Sequence, residues 1–221
     1  MTGVEATPRD ATPAGGAHAV PVKTQRQSVM SRVVGHPRES LALAIALLRG
    51  HFYKLYFPLR GQRFRAGRRF LAFGKLVVRG PGRVEFGDCV SVYMTVTPFT
   101  HAADATIRIG DHTRLSGTRF GCARAITIGT RGIIAECRIM DTDFHSVSAR
   151  RHDPSSPIRT APVSIGDNVW IGTDSIVLPG ASVGRDSVVS VLTVCSGQYA
   201  EGMIVAGNPG RAVGRVPDSI A

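Results

Sequence analysis

Residues 164–194 read SIGDNVWIGTDSIVLPGASVGRDSVVSVLTV, and this stretch decides the fold. An aliphatic residue recurs at every sixth position: Ile165, Ile171, Val177, Val183 and Val189. Glycine follows three of them, at Gly166, Gly172 and Gly184, while Val169, Ser175, Ala181, Ser187 and Thr193 repeat four places after each. A period of six fits neither the turn of a helix nor the two-residue alternation of a strand. It fits a chain wound into a prism, one repeat per flat face, with the aliphatic side chain pointing down the axis. The small residues then fall where the chain bends, because bulk there would collide with the next coil.

These residues resemble the hexapeptide-repeat acyltransferases. The resemblance runs from near Val84 to the segment IVAGNPGRAVGRV at residues 204–216, which is similar to the family's closing signature. It implies an all-β solenoid, a left-handed parallel β-helix whose crossovers break the usual right-handed rule. Partial repeats (Phe86-Gly87 with Val92; Ile109-Gly110 with Leu115; Ile128-Gly129, Ile134-Ala135 and Met140-Asp141) extend the pattern towards the N-terminus. At about 18 residues per three-faced coil, the chain between Val84 and Val194 predicts some six coils.

The 221 residues suit one domain with appendages, and a hydrophobic content of 43% is ample for a core. Four cysteines (Cys89, Cys122, Cys137 and Cys195) show no CxxC spacing, so buried thiols are expected rather than disulfides or a zinc knuckle. The formal net charge of +11 predicts affinity for something anionic, such as coenzyme phosphates, acidic glycan or lipid headgroups. Nucleic acid is not expected, since no helix-turn-helix, zinc or RRM pattern accompanies the charge.

In chain order, residues 1–28 are rich in Ala, Thr, Pro and Gly and read as a disordered tail. No signal-peptide pattern opens the chain, so a cytoplasmic protein is expected, with peripheral contact at the inner membrane face as a further option. Residues 29–60 form an amphipathic helical segment, with the helix itself over residues 37–57. Its apolar core LALAIALL is too short to span a bilayer. Phe52, Tyr53, Tyr56 and Phe57, interleaved with Arg49, His51 and Lys54, suit either a cap over the open end of the prism or a helix lying in a membrane interface. The two are compatible. The arginine-rich run within residues 60–83 reads as solvated surface, and peripheral membrane contact would involve residues 37–83. The β-helix domain is placed at residues 61–216 and a C-terminal tail at 217–221.

The chemistry lies in IMDTDFHSVSARRHDPSSPIRTAPVSIG. The repeat stops at Met140 and restarts at Ile165, so residues from about 146 to 162 must leave the prism as a loop, and loops of that length are often functional. A bacterial group within the family, acting on sugars of polysaccharides and antigens, has a similar Asp-x-Asp-Phe-His segment ahead of its loop. By that resemblance His145 is the catalytic base. Histidine, with an ordinary pKa of about 6.5, is well poised to take a proton from an alcohol. Strand alternation would set Asp141, Asp143 and His145 on one side. Asp143 is expected to assist catalysis, and Asp141 to bind acceptor hydroxyls or to occupy a corner of the repeat. His152, in the loop, is a candidate acceptor contact. His18, His36, His51, His101 and His112 read as tail, helix-flanking or surface residues.

The resemblance implies acetyl-CoA as acyl donor, no metal, and a homotrimer whose sites combine two subunits. By position it assigns Trp170, Gly172 and Thr173 to the wall of the donor groove, and Asn208, Pro209 and Arg211 to its nucleotide end. Trp170 has a second reading as the filler of a coil corner. One departure from the family pattern is the stretch Ser190-Val191-Leu192-Thr193 followed by Ser196-Gly197, where relatives have Gly-Ala-Gly-Ser and then Thr-Lys. The expected activity is transfer of an acetyl group to a sugar hydroxyl of a cell-surface polysaccharide, glycolipid or precursor. Two alternatives are an N-acetyltransferase of an amino-sugar nucleotide and a zinc lyase of the carbonic-anhydrase type, which would need three converging histidines.

Overall fold

Alternation of one inward aliphatic and one outward polar residue cannot bury enough surface in a single coil, so stability requires stacking. In the computed structural model, which describes residues 37–218, coils stack into a prism of three parallel sheets of seven, eight and six strands. The architecture is a left-handed parallel β-helix of about seven turns with one N-terminal helix. The first face runs from Arg63–Ala66 through Thr106–Ile109 and Val163–Ile165 to Gln198–Tyr199; the second includes Arg114–Ser116, Trp170–Ile171 and Met203–Ala206; the third includes Thr95–Thr100, Arg119–Cys122 and Arg138–Met140. The expectations for residues 1–36 and 219–221, His18 and His36 among them, lie outside the described residues.

All five aliphatics of the deciding stretch are buried, and so is Cys195, which takes the next sixth place after Val189. Burial of each such side chain contributes about 1.5–3 kcal/mol. The corner residues Val169, Ser175, Ala181, Ser187 and Thr193 are buried as well. Their hydroxyls are satisfied by the neighbouring coil: Ser175 Oγ donates to the Ser190 carbonyl at 2.9 Å, and Ser187 Oγ to that of Ala200 at 3.2 Å.

The glycines after the first face serve close approach rather than a special dihedral. A Cβ on Gly166 would lie 2.6 Å from the backbone N of Arg185, one coil away. The left-handed conformation falls two residues later, on Asn168 (φ 55°) and its equivalents Arg131 and Asp186. Carboxylates tie the same corners together. Asp167 accepts the N–H of Thr130 at 2.6 Å and Asp88 that of Arg68 at 2.7 Å, and these bonds hold both carboxyls below the usual carboxylate range.

Between Val84 and Val194 there are five coils, not six, because the loop after Met140 and the wide turn at residues 100–105 consume chain without adding faces. A sixth lies upstream, where the arginine-rich run is itself strand. Phe64, Phe70, Ala72, Leu76 and Val78 point inward between outward arginines, so only the charged half of this stretch is solvated surface. The register also slips by one on the third face of two successive coils: the inward residues are Phe120 and Ile139, five places after Leu115 and Ile134, and Met140 is only partly buried. Ile139 pairs with Phe120 on one side and Val177 on the other.

The helix α1 spans Pro37–Leu59, ending in Gly61 at φ 75° with its N–H on the Pro58 carbonyl. It caps the first coil. Tyr53 and Phe57 stack at 5.2 Å and pack into the core. Arg49 donates to the carbonyls of Phe73 (2.9 Å) and Gly74 (2.8 Å), Lys54 to that of Gly67, and Gln62 to that of Val78 (2.8 Å). The unpaired edge of a sheet stack is thereby covered. At the far end the strand Arg211–Arg215 folds back antiparallel on Met203–Ala206.

The four cysteines are free. Burial pushes the thiols of Cys122 and Cys137 up to about 12 and that of Cys195 to about 11, so they fill core positions as thiols.

Candidate active site

The loop leaves the fourth coil directly after Arg138–Met140, at the edge between the third and first faces. Its exit and return are paired. The Asp143 N–H donates to the Arg159 carbonyl at 3.1 Å, the Ala161 N–H to that of Asp141 at 2.9 Å, and Thr160 Oγ1 meets Thr142 Oγ1 at 3.2 Å. Arg159 also donates to the carbonyl of Pro179 in the next coil at 2.7 Å. A two-stranded neck on a rigid wall is the result.

Asp141 faces inward. Its carboxylate is fully buried and accepts the N–H groups of Ala123 (2.6 Å), Arg124 (2.8 Å) and Ala125 (2.7 Å). The Cys122 thiol donates to it at 3.4 Å. It closes a corner and cannot reach an acceptor, so the expectation that it binds substrate is corrected. The expected shared side for residues 141, 143 and 145 fails for the same reason, since Asp143 is half-buried and His145 exposed.

The break in alternation falls at Phe144, which takes φ 61°. A left-handed conformation is unfavourable for a bulky residue and persists only where the surroundings impose it. Here the ring is seated on the bare Cα of Gly121, where a Cβ would lie 2.3 Å from Phe144 Cζ. His101 packs edge-on against the ring at 4.7 Å between centroids, and Phe99 packs on His101 at 4.1 Å. Phe144 is thus fixed inward, and the next residue, His145, is turned to solvent. Among the described residues no hydrogen bond within the chain engages the side chain of His145 or of Asp143. Asp143 therefore does not orient the imidazole within this chain.

Beyond the neck, residues 146–158 form a turn-rich loop held by its own bonds. Ser156 Oγ donates to the Arg150 carbonyl at 2.7 Å, and Ser155 Oγ to Asp153 at 2.7 Å, which lowers the Asp153 pKa. His152 is exposed on this loop.

Of the six residues assigned to the donor, Trp170, Gly172 and Thr173 lie on the second face and its edge with the third, while Asn208, Pro209 and Arg211 lie at the C-terminal end of the prism. Trp170, 50% exposed, points outward from the second face between Ile133 and Val188; it does not fill a corner. Gly172 and Thr173 follow at the edge towards the third face. Thr173 accepts the Leu192 N–H at 3.0 Å, and Val194 in turn donates to the Gly207 carbonyl at 3.0 Å, placing Asn208 and Pro209 next in the column. A Cβ on Gly172 would lie 2.8 Å from Val191 N, so coil packing alone accounts for this glycine. Val191 and Leu192 project outward on the same edge. Pro209 and Arg211 border an open cleft of ≈ 440 Å³ with Tyr199, whose hydroxyl donates to the Gly210 carbonyl at 3.2 Å. Gly172 and Thr173 are separated from the neck of the loop by the width of the third face.

His101 is exposed, as expected of a surface residue, but sequence reasoning passed over its packing on Phe144 and over Gly121, which follows the inward Phe120. No local signal marks either, because their relation to Phe144 spans two coils. Among the described residues no group of three His, Cys, Asp or Glu side chains is placed to hold a metal ion.

The family model described as hexapeptide repeat of succinyl-transferase matches residues 162–190. The chain carries the hexapeptide repeat, and the relatives and solved structures it is similar to include hexapeptide-repeat acetyltransferases. It is 26% identical to WbbJ of Escherichia coli (strain K12), a protein named as a lipopolysaccharide biosynthesis O-acetyl transferase, over 62% of this chain and 74% of that one. Its fold is similar to the polysialic acid O-acetyltransferase OatWY (TM-score 0.58, 19% identity, 69% of this chain and 74% of that one). It is also similar to AntD, an N-acyltransferase from Bacillus cereus (TM-score 0.50, 19% identity, 72% of this chain and 87% of that one). The matched stretch spans as little as 29% of the length of the first curated relatives.

Proposed function

We propose that this protein is an acetyl-CoA-dependent O-acetyltransferase acting on a sugar hydroxyl of a cell-surface polysaccharide, glycolipid or precursor. The observation that carries the reading is His145, held exposed at the neck of a loop with no side-chain hydrogen bond among the described residues, next to Phe144, whose half-buried ring is seated on Gly121. The likeness to WbbJ supports the substrate class.

His145 takes the proton of the acceptor hydroxyl as its oxygen attacks the thioester carbonyl. Backbone N–H groups stabilise the oxyanion. As the C–S bond breaks, the imidazolium returns its proton to the departing thiolate. In this reading Asp143 and His152 contribute contacts to the acceptor. Acetyl-CoA supplies the activated acyl group, and the outer surface with Trp170, Gly172, Thr173, Asn208, Pro209 and Arg211 suits it: an apolar wall at one end, and at the other an exposed guanidinium that can pair with phosphate oxygens. Because Gly172 and Thr173 lie apart from the neck of the loop in one chain, the reading includes a homotrimer in which His145 of one subunit faces the donor surface of the next. It also includes a cytoplasmic protein with peripheral membrane contact through residues 37–83.

The test is the purified protein with acetyl-CoA and panels of saccharides and amino-sugar nucleotides, watching thiol release. Acetyl esters on a saccharide are expected; products bearing only amides would replace the reading with N-acetylation. No thiol release with any acceptor would overturn it.

A further inference from the structure

The apolar side chains of α1 divide into two sets. Ala46, Gly50, Tyr53 and Phe57 face the prism. Leu41, Ile45, Leu48, Phe52, Leu55 and Leu59 do not: their exposure runs from 46% at Ile45 to 86% at Leu59. Successive members are four, three, four, three and four residues apart, so they form one straight line along the helix. From Leu41 to Leu59 that line is about 27 Å long. Packing on the prism begins at Ala46, so the first turns, with Leu41, Leu43 and Ile45 all exposed, project beyond it. An apolar surface this continuous marks a contact site.

Charge says what kind. Residues 37–83 contain eleven Lys or Arg and one Glu, a net +10 out of +11 for the chain. The basic side chains flank α1 on both sides. Arg60, Lys75 and Arg79 border a cleft with Phe52 and Tyr56, while Lys54, Arg63, Arg65 and Arg83 border the cleft opposite. A second copy laid against the stripe would bring two such ends together, against their mutual repulsion. An anionic lipid surface satisfies the stripe and the charge at once. Among the described residues no helix is long and apolar enough to cross a membrane.

We propose that this end of the protein docks on an anionic bilayer, with α1 lying in the headgroup plane, the stripe towards the acyl chains and the flanking arginines on lipid phosphates. The inference deepens the peripheral contact included in the proposed function and rests on that reading of residues 37–83. It implies an acceptor that is itself lipid-linked, reached by a prism standing on the membrane.

The full chain would be floated with vesicles of phosphatidylcholine alone or mixed with phosphatidylglycerol, at low and high salt. Binding should be about tenfold or more stronger to the anionic vesicles at low salt, and weaken as salt screens the charges. The Leu48→Asp/Leu55→Asp double variant should lose flotation while keeping the wild-type melting temperature and oligomeric mass. Absence of flotation with anionic vesicles at low salt overturns the inference, as does undiminished flotation of the double variant. A changed oligomeric mass in that variant overturns it too, in favour of a second copy on the stripe. Turnover with a soluble acceptor is read separately: its absence from wild type and variant alike would count against acetyl transfer and leave the docking result standing.

Discussion

The ring of Phe144 lies on the Cα of Gly121, one coil below, in the space a Cβ would need. This contact links a residue of the rigid wall to the one that precedes His145. The left-handed φ of Phe144 is the backbone's accommodation to it, and the direction of His145 follows from that dihedral.

Gly121→Ala should therefore act on catalysis more than on folding. The added methyl, 2.3 Å from Phe144 Cζ, would expel the ring and re-aim the imidazole. Misplacement by about 1 Å costs roughly 10²-fold in rate. Turnover is expected to fall on that scale, with the KM for acetyl-CoA unchanged and only a small loss in melting temperature. Wild-type turnover in the variant would show that the contact does not aim the base.

His145→Ala should lower turnover by roughly the 10²–10⁴ that acid–base catalysis supplies, without altering the fold. The separation of the loop's neck from Gly172 and Thr173 gives this variant a second use. If sites form between subunits, mixing it with an Arg211→Ala variant by unfolding and refolding together should restore part of the activity that neither has alone. Failure to recover any activity would count against shared sites.

Much of the fold was legible because the hexapeptide period is a packing constraint written at each coil, as in Ile165, Ile171, Val177, Val183 and Val189. The first coil was hidden. Between its arginines, Phe64, Phe70 and Leu76 keep the inward half of the pattern, but aromatic bulk and charge mask the period. The one-residue slip at Ile139 escaped because Met140 is as apolar as the residue that displaces it. At the site, His145 was readable from its place before the loop. The inward turn of Asp141 was not, since an Asp serving three backbone N–H groups looks the same in sequence as one serving a sugar.

The corner carboxylates predict how stability depends on pH. Asp88 and Asp167 have folded-state pKa values below their unfolded ones, so their contribution is complete above the unfolded carboxylate value and is lost as pH falls through the lower folded value. The melting temperature should be level through neutral pH and drop below about pH 4. Asp167→Asn should flatten part of that drop. An acid limb identical in variant and wild type would remove this carboxylate from the account.

Asp141 should matter more than either, although it touches no substrate. Its carboxylate accepts from Ala123, Arg124 and Ala125 inside the corner where the third coil becomes the fourth. Alanine would leave three partly buried N–H groups without this acceptor, and since a single such group costs about 1–3 kcal/mol when fully buried, Asp141→Ala should cost at least about that much. Asparagine keeps one acceptor oxygen and should cost less. The neck would loosen with the corner, because Asp141 also receives the Ala161 N–H on its carbonyl. Denaturant unfolding of the two variants measures the order, and hydrogen exchange at Ala123, Arg124 and Ala125 locates it. Equal, near-wild-type stability in both would mean that the corner does not depend on this carboxylate, and Asp141 would again be open to a role at the acceptor.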